Sequence, residues 1–325
     1  MTMVLEHDFD YDPTYGYDLE ALLAVAPPTE APADFEVFWR GTYGEALAVP
    51  PRPELREIES PDPGRRVFEI DLDAWGQRRI GGWLVEPVDA APRLGLVLTH
   101  GYGGRSQPYP LPDLGVPASV LMPCLRGFHR SAFDDLPDNG ARHVLHGIEQ
   151  RDTYLHRGCA ADVWASVSAL LELRPELAGH MGYSGGSFGG GIGALAVPWD
   201  PRIGRAVLDI PSFGNHPLRL TLPCCGSGES VRAYHRRHPE VTEVLRYYDA
   251  ALTAGYIAVP TRVAAAKFDP AVPPPGQFAI YNALTCPKEL KVLDYAHFQP
   301  PTPWPGNDGW PGGARFLVQG LAKSD

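Results

Sequence analysis

The chain has 325 residues, long for one domain and ample for a large core. Acidic residues outnumber basic ones, 39 to 28, for a formal net charge of -11, and no basic patch stands out. That balance argues against nucleic acid or an anionic membrane as partner, and no apolar run is long enough to span a bilayer.

The first segment, Met1 to Glu20, is acidic and aromatic and lacks the basic and apolar regions of a secretory leader, so a cytoplasmic protein is expected. Five scattered cysteines (Cys124, Cys159, Cys224, Cys225 and Cys286) read as reduced, and none has metal-finger spacing. Asp34 to Arg40 reads as a helix with aromatics on one face. Val67 to Pro87 alternates around Trp75-Gly76-Gln77, as a β-hairpin does. Leu94 to Thr99 and Ala118 to Pro123 are short apolar strands suited to the middle of a sheet. Asp152 to Leu173 has helical spacing. Met181 to Ser184 reads as a strand, Phe188 to Val197 as a helix and Ala206 to Ile210 as a strand. The irregular, helical stretch from about 212 to 258 reads as an inserted cap. Thr261 to Ala266 and Glu289 to Leu293 return to strand character, and Gly312 to Leu321 closes as a helix. Prolines cluster at Ala26-Pro27-Pro28, at Pro50 to Pro53 and from Pro300 to Pro305, where loops are expected. Alternating strands and helices imply an α/β class with a doubly wound, mainly parallel sheet. The expected organisation is one domain over 1–325, with an N-terminal helical and hairpin extension over 1–90.

The strand-to-helix junction at Met181 to Gly191 carries G-x-S-x-G, the nucleophile elbow of α/β-hydrolases. Two registers fit. Gly182-Tyr183-Ser184-Gly185-Gly186 is one and Gly185-Gly186-Ser187-Phe188-Gly189 the other. The small, apolar run after Ser187 suits a buried helix start and favours Ser187; Ser184 would open the helix on Gly185-Gly186-Ser187, a poor start.

A serine hydroxyl needs a base and an oriented acid. In this fold the chain order is nucleophile, acid, histidine. His297 is the only histidine after the last predicted strand, and Asp269 follows the strand before it; Asp209 and Asp294 are the rival acids. The oxyanion needs two N–H donors. Phe188 supplies one as the residue after the nucleophile, and the loop Thr99 to Gly104 supplies the other through the Tyr102 backbone. That loop fits no phosphate-binding motif. His143 and His146 lie close together without a metal-ligand pattern, so neither metal nor cofactor is called for.

In this order the pieces resemble the acetyl xylan esterase and cephalosporin C deacetylase family, carbohydrate esterase family seven. Asp34-Phe35 with Phe38-Trp39 looks like its N-terminal signature, and His100-Gly101-Tyr102-Gly103-Gly104 like its oxyanion loop. Gly147-Ile148-Glu149 through Asp152-Thr153-Tyr154 and Arg157 looks like its next conserved run. Gly185 to Gly191 is similar to its elbow, which supports Ser187. Asp269 with Pro273-Pro274, Phe278-Ala279 and Tyr281-Asn282 resembles its acid segment, and His297 falls where the family places its histidine. The resemblance covers roughly residues 18 to 322. It departs from the family at Phe188, where Gln is usual, at Phe128-His129 after Arg126-Gly127, and at Phe298, where Glu is usual.

The resemblance implies a serine esterase that removes acetyl or another short acyl group from an oligosaccharide or small-molecule ester, and a homo-oligomer. Phe128, Phe213 and Phe298 are expected to line an apolar substrate pocket. An acyltransferase on the same triad and a non-catalytic ligand-binding homologue are the alternative readings.

Overall fold

The computed structural model describes residues 5–299 and 309–321. The expected loop at Pro300 to Pro305 lies outside them. Among the described residues nine strands form one sheet: β1 (Glu54–Ile58), β2 (Arg65–Ala74), β3 (Arg78–Pro87), β4 (Leu94–Leu98), β5 (Ala118–Pro123), β6 (Met181–Gly186), β7 (Ile203–Asp209), β8 (Thr261–Ala266) and β9 (Lys288–Leu293). Their spatial order is β1-β2-β3-β5-β4-β6-β7-β8-β9. The first three are antiparallel and β3 pairs antiparallel with β5; every pair from β5 through β9 is parallel. The expected hairpin is therefore β2–β3, with Gly76 and Gln77 in the left-handed region at its turn, and it extends the main sheet.

The helices are α1 (Leu19–Leu23), α2 (Phe35–Leu47), α3 (Gly140–His143), α4 (Leu155–Leu173), α5 (Phe188–Ala196), α6 (His216–Arg219), α7 (Ser227–His235), α8 (Val241–Leu245), α9 (Ala250–Ala254), α10 (Pro274–Ala283) and α11 (Gly309–Leu321). α6 to α9 fill the connection from β7 to β8, where the cap was expected.

Strands β4 and β8 are buried at every position and β5 at all but its first. Such runs carry no alternation because both faces are covered. The larger core joins one face of the sheet to α2, α4, α5, α9 and α10. The smaller one packs Leu317 and Leu321 of α11 on Val67, Leu96, Val120 and Val207. The aromatic face of α2 docks Trp39 fully buried, parallel to Trp199, and its indole N–H donates to the Tyr247 carbonyl at 2.9 Å. Its apolar area is thus buried without an orphaned donor. Burying a side chain of that size contributes about 3 kcal/mol.

Strand β4 has β5 on one side and β6 on the other, so the chain winds outward in both directions from there. Open α/β sheets bind ligands at such a switch point, beyond the carboxyl ends of the strands. The loop after β4 and the turn after β6 meet at that place.

Candidate active site

Ser187 stands alone between β6 and α5 with φ 54° and ψ -114°. An L-residue adopts that conformation only when its surroundings impose it, and such strain gathers at functional sites. Here the peptide is pinned on both sides. The Ser187 N–H donates to the Asp209 carbonyl at 2.8 Å, and the Ser187 carbonyl accepts from Gly191 and Ser212, both at 3.0 Å. Crowding requires glycine next to it: a Cβ on Gly185 would lie 2.4 Å from Thr99 Oγ1, and one on Gly189 would lie 2.5 Å from the same atom. Ser184, the other register, is an interior residue of β6 and 1 % exposed.

His297 hangs from the loop after β9, also at positive φ (45°). Its Nε2 is 3.0 Å from Ser187 Oγ and its Nδ1 is 2.8 Å from Asp269 Oδ2. Asp269 lies fully buried in the loop after β8. Its Oδ1 accepts the amide hydrogens of Ala271 and Val272, each at 2.9 Å, and Oδ2 also accepts from Gln277 Nε2 at 2.8 Å. A buried carboxylate needs such donors to stay in place. Gln277, on α10, spends its other capacity on Val272 O (2.7 Å) and Ala266 N–H (2.9 Å). It ties the end of β8 to the acid loop. Of the rival acids, Asp294 pairs with Lys267 at 2.8 Å, and Asp209 stands at the end of β7.

The loop after β4 passes over Ser187: a Cβ on Gly101 would lie 3.6 Å from the Ser187 Cβ. The ring of Tyr102 stacks on Phe188 with centroids 4.1 Å apart, and its hydroxyl bonds His156 Nε2 at 3.0 Å. These contacts fix both residues by their side chains. Phe188 opens α5, and the first amides of a helix have no intrahelical acceptor. The loop is braced from behind by His100. Its Nε2 accepts the Leu125 N–H at 3.0 Å, so Nδ1 carries the proton given to Gly101 O at 2.8 Å. Burial holds that imidazole down to about 3, neutral at ordinary pH.

Two clefts meet at Ser187. The smaller, about 270 Å³, is walled by Tyr102, Ser212, Ser227, Val272 and His297. The larger, about 460 Å³, is walled by Leu98, Tyr109, Pro110, Leu111, Asp209 and Ile210. The three phenylalanines expected in the pocket line neither cleft. Phe128 and Phe213 are buried, packed with His100, His143, His156 and Phe188 beneath the elbow. Phe298 turns away from Ser187 onto Phe9 and Phe268. The physical reason is packing: Phe128 and Phe213 are buried against Phe188 at the start of α5, and Phe298 packs against Phe268, where large rings exclude water. The apolar wall comes instead from Tyr109-Pro110-Leu111 and Ile210. Among the described residues no group of three or more His, Cys, Asp or Glu side chains is arranged to hold a metal ion.

Comparison with known proteins gives a consistent result. The family described as acetyl xylan esterase (AXE1) matches residues 14–302. An acetyl esterase of Xylanibacter ruminicola is 21% identical over 307 residues, covering 90% of this chain and 68% of that protein. The crystal structure of acetyl xylan esterase 1 from a Thermoanaerobacterium species superposes with a TM-score of 0.77 at 22% identity, over 93% of this chain and 98% of that one. An acetyl xylan esterase from a Paenibacillus species gives a TM-score of 0.77 and 22% identity, over 93% and 99%.

Proposed function

The chain belongs to the acetyl xylan esterase family, within the α/β-hydrolase fold, and from that premise we propose that it cleaves acetyl esters through an acyl-enzyme on Ser187. The observation that carries this reading is the hydrogen-bonded chain Ser187–His297–Asp269, with links of 3.0 and 2.8 Å. His297 Nε2 takes the Ser187 proton as Oγ attacks the ester carbonyl. Asp269 holds the Nδ1 proton, so Nε2 is the basic nitrogen, and stabilises the imidazolium. The amides of Tyr102 and Phe188 receive the oxyanion. His297 then protonates the departing alkoxide, and water activated by the same nitrogen releases the acid.

The substrate is an acetylated oligosaccharide or acetylated small molecule. The family supports a homo-oligomer, to be checked by light scattering of the purified protein. Free thiols at all five cysteines support a reducing, cytoplasmic setting. The helices between β7 and β8 act as a cap: Ser212, Gly226 and Ser227 from that connection wall the smaller cleft.

The test is hydrolysis of p-nitrophenyl acetate. Ser187→Ala is expected to abolish turnover and Ser184→Ala to leave the nucleophile working. A steep fall in rate from acetyl to butyryl esters is expected from so small a cleft; a flat profile would overturn the short-acyl assignment. Equal turnover by wild type and Ser187→Ala would overturn the mechanism.

A further inference from the structure

Asp209 is a half-buried carboxylate beside the nucleophile that the esterase mechanism does not use. It ends β7, and its Cα pairs in the sheet with that of Gly186, one residue before Ser187. Its side chain lines the larger cleft, 20% exposed, and it is the only carboxylate among the described residues there. Oδ1 is sealed from solvent and has no hydrogen-bond partner among the described residues, so the exposure of the side chain belongs to its other atoms. The nearest cation, Arg262 Nη1, is 4.0 Å away, beyond hydrogen-bond reach, and that nitrogen is itself unpartnered. Its Nε is held by Glu289 at 2.9 Å. Burial raises the Asp209 carboxyl to about 6, against the opposing pull of Arg262. Near neutral pH it therefore carries charge in a wall of leucine, proline, tyrosine and isoleucine. With Oδ1 closed off, Oδ2 is the oxygen able to meet a ligand in the cleft. The next residue, Ile210, which also lines the larger cleft, is β-branched and held at φ 41°, a costly conformation of the kind that gathers at functional sites.

An acetyl group needs room for one methyl beyond its carbonyl, so the larger cleft has to hold the alcohol part. We propose that Asp209 accepts a hydrogen bond from a free hydroxyl on the alcohol part of the substrate, close to the acetylated oxygen, and so selects polyol acetates over acetates of simple alcohols. This rests on the esterase reading. A hydroxyl suits the site better than an ammonium group, because Arg262 offsets the carboxylate charge and repels a second cation.

The experiment compares kcat/KM for 2-hydroxyethyl acetate and propyl acetate, which differ by a hydroxyl in place of a methyl. Wild type, Asp209→Asn and Asp209→Ala are assayed, with p-nitrophenyl acetate as a check on the esterase itself. The hydroxyethyl-to-propyl ratio is independent of how much variant is folded. It is expected to fall about tenfold or more in Asp209→Ala, with Asp209→Asn between, because a site built to bond a hydroxyl loses its preference when the acceptor goes. An unchanged ratio in an active enzyme overturns this inference and leaves the esterase reading standing. Loss confined to 2-(dimethylamino)ethyl acetate would show a cation site and overturn it too. A wild type inactive on all these esters overturns the esterase reading, and this one with it.

Discussion

Gln277 shows how much of the site depends on a residue with no part in the chemistry. Its amide touches Asp269, Val272 and Ala266 together, so its orientation is fixed and it acts as a positioning residue for the acid loop. Gln277→Leu would leave a buried carboxylate short of one donor and two backbone groups unpaired. The expected cost is about 2 kcal/mol of stability, with kcat for p-nitrophenyl acetate falling and KM little changed. Gln277→Glu should be worse for rate near neutral pH, since it sets a second carboxyl against Asp269; if both variants keep wild-type kcat, Gln277 has no positioning role. Nothing in the sequence pointed to it. Ser187, Asp269 and His297 stand in recognisable turns in a fixed chain order, whereas an amide inside a helix has neither motif nor period. The pocket phenylalanines failed for a related reason. Standing beside a recognisable site residue, as Phe298 does beside His297, does not say whether a ring faces the cleft or packs away from it.

At the scale of elements, the N-terminal segment before α1 works as a strap over the loops that carry Asp269 and His297. The Pro13 carbonyl accepts the Asp269 N–H at 3.2 Å, Tyr11 Oη donates to Pro270 O at 2.7 Å, and Tyr15 Oη donates to Pro223 O at 2.6 Å. Phe9 packs edge-on against Phe298, the neighbour of His297, and His7 lies against Phe268. The double variant Tyr11→Phe, Tyr15→Phe removes two hydrogen bonds worth about 1 kcal/mol each and keeps both rings. The expected outcome is a lower melting temperature and a several-fold lower kcat on p-nitrophenyl acetate. Unchanged kcat with lowered stability would mean that the strap holds the fold and not the triad. This strap was illegible in the sequence because its bonds are irregular and long-range. Most central strands and helices were legible within a few residues, since burial on both faces leaves a continuous apolar run. The misses have local causes. No element was expected at α10, which begins with Pro274 and Pro275, although proline is tolerated in a first helical turn. β1 is an edge strand exposed at four of its five positions, so it shows no alternation.

On the scale of the whole molecule, the buried titratable groups set how the fold responds to acid. Burial holds His100 and His216 down to about 3, His143 to about 4, and His156 well below 6.5. The unfolded chain takes up these four protons near pH 6.5 and the folded one does not. A depressed histidine therefore contributes stability above 6.5 that is lost as the pH falls. Burial acts in the opposite direction on Asp209 and Asp249, each raised to about 6. The folded chain binds those two protons first, which adds stability at acid pH and removes it as the pH rises through 6. Near pH 5 the unfolded state thus holds four protons and the folded state two, a net of two in favour of unfolding. The slope is about 2.7 kcal/mol per pH unit. Stability measured by urea unfolding should be level above about pH 7 and fall steadily from about pH 6 towards 4. A midpoint that rises on acidification would contradict this balance. His143→Gln isolates one member. Nε2 of His143 donates to the Arg126 carbonyl at 2.9 Å, a bond an amide N–H can replace, while the titrating nitrogen is gone. The acid slope of that variant should be shallower by one proton, about 1.4 kcal/mol per pH unit. The imidazoles of His143 and His156 pack around Phe188 and Phe213 directly under the elbow, so their protonation loosens the floor on which Ser187 is strained. With His143 held to about 4 and His156 well below 6.5, that loosening is expected together with unfolding and not before it, an order that near- and far-UV circular dichroism on the same samples can establish.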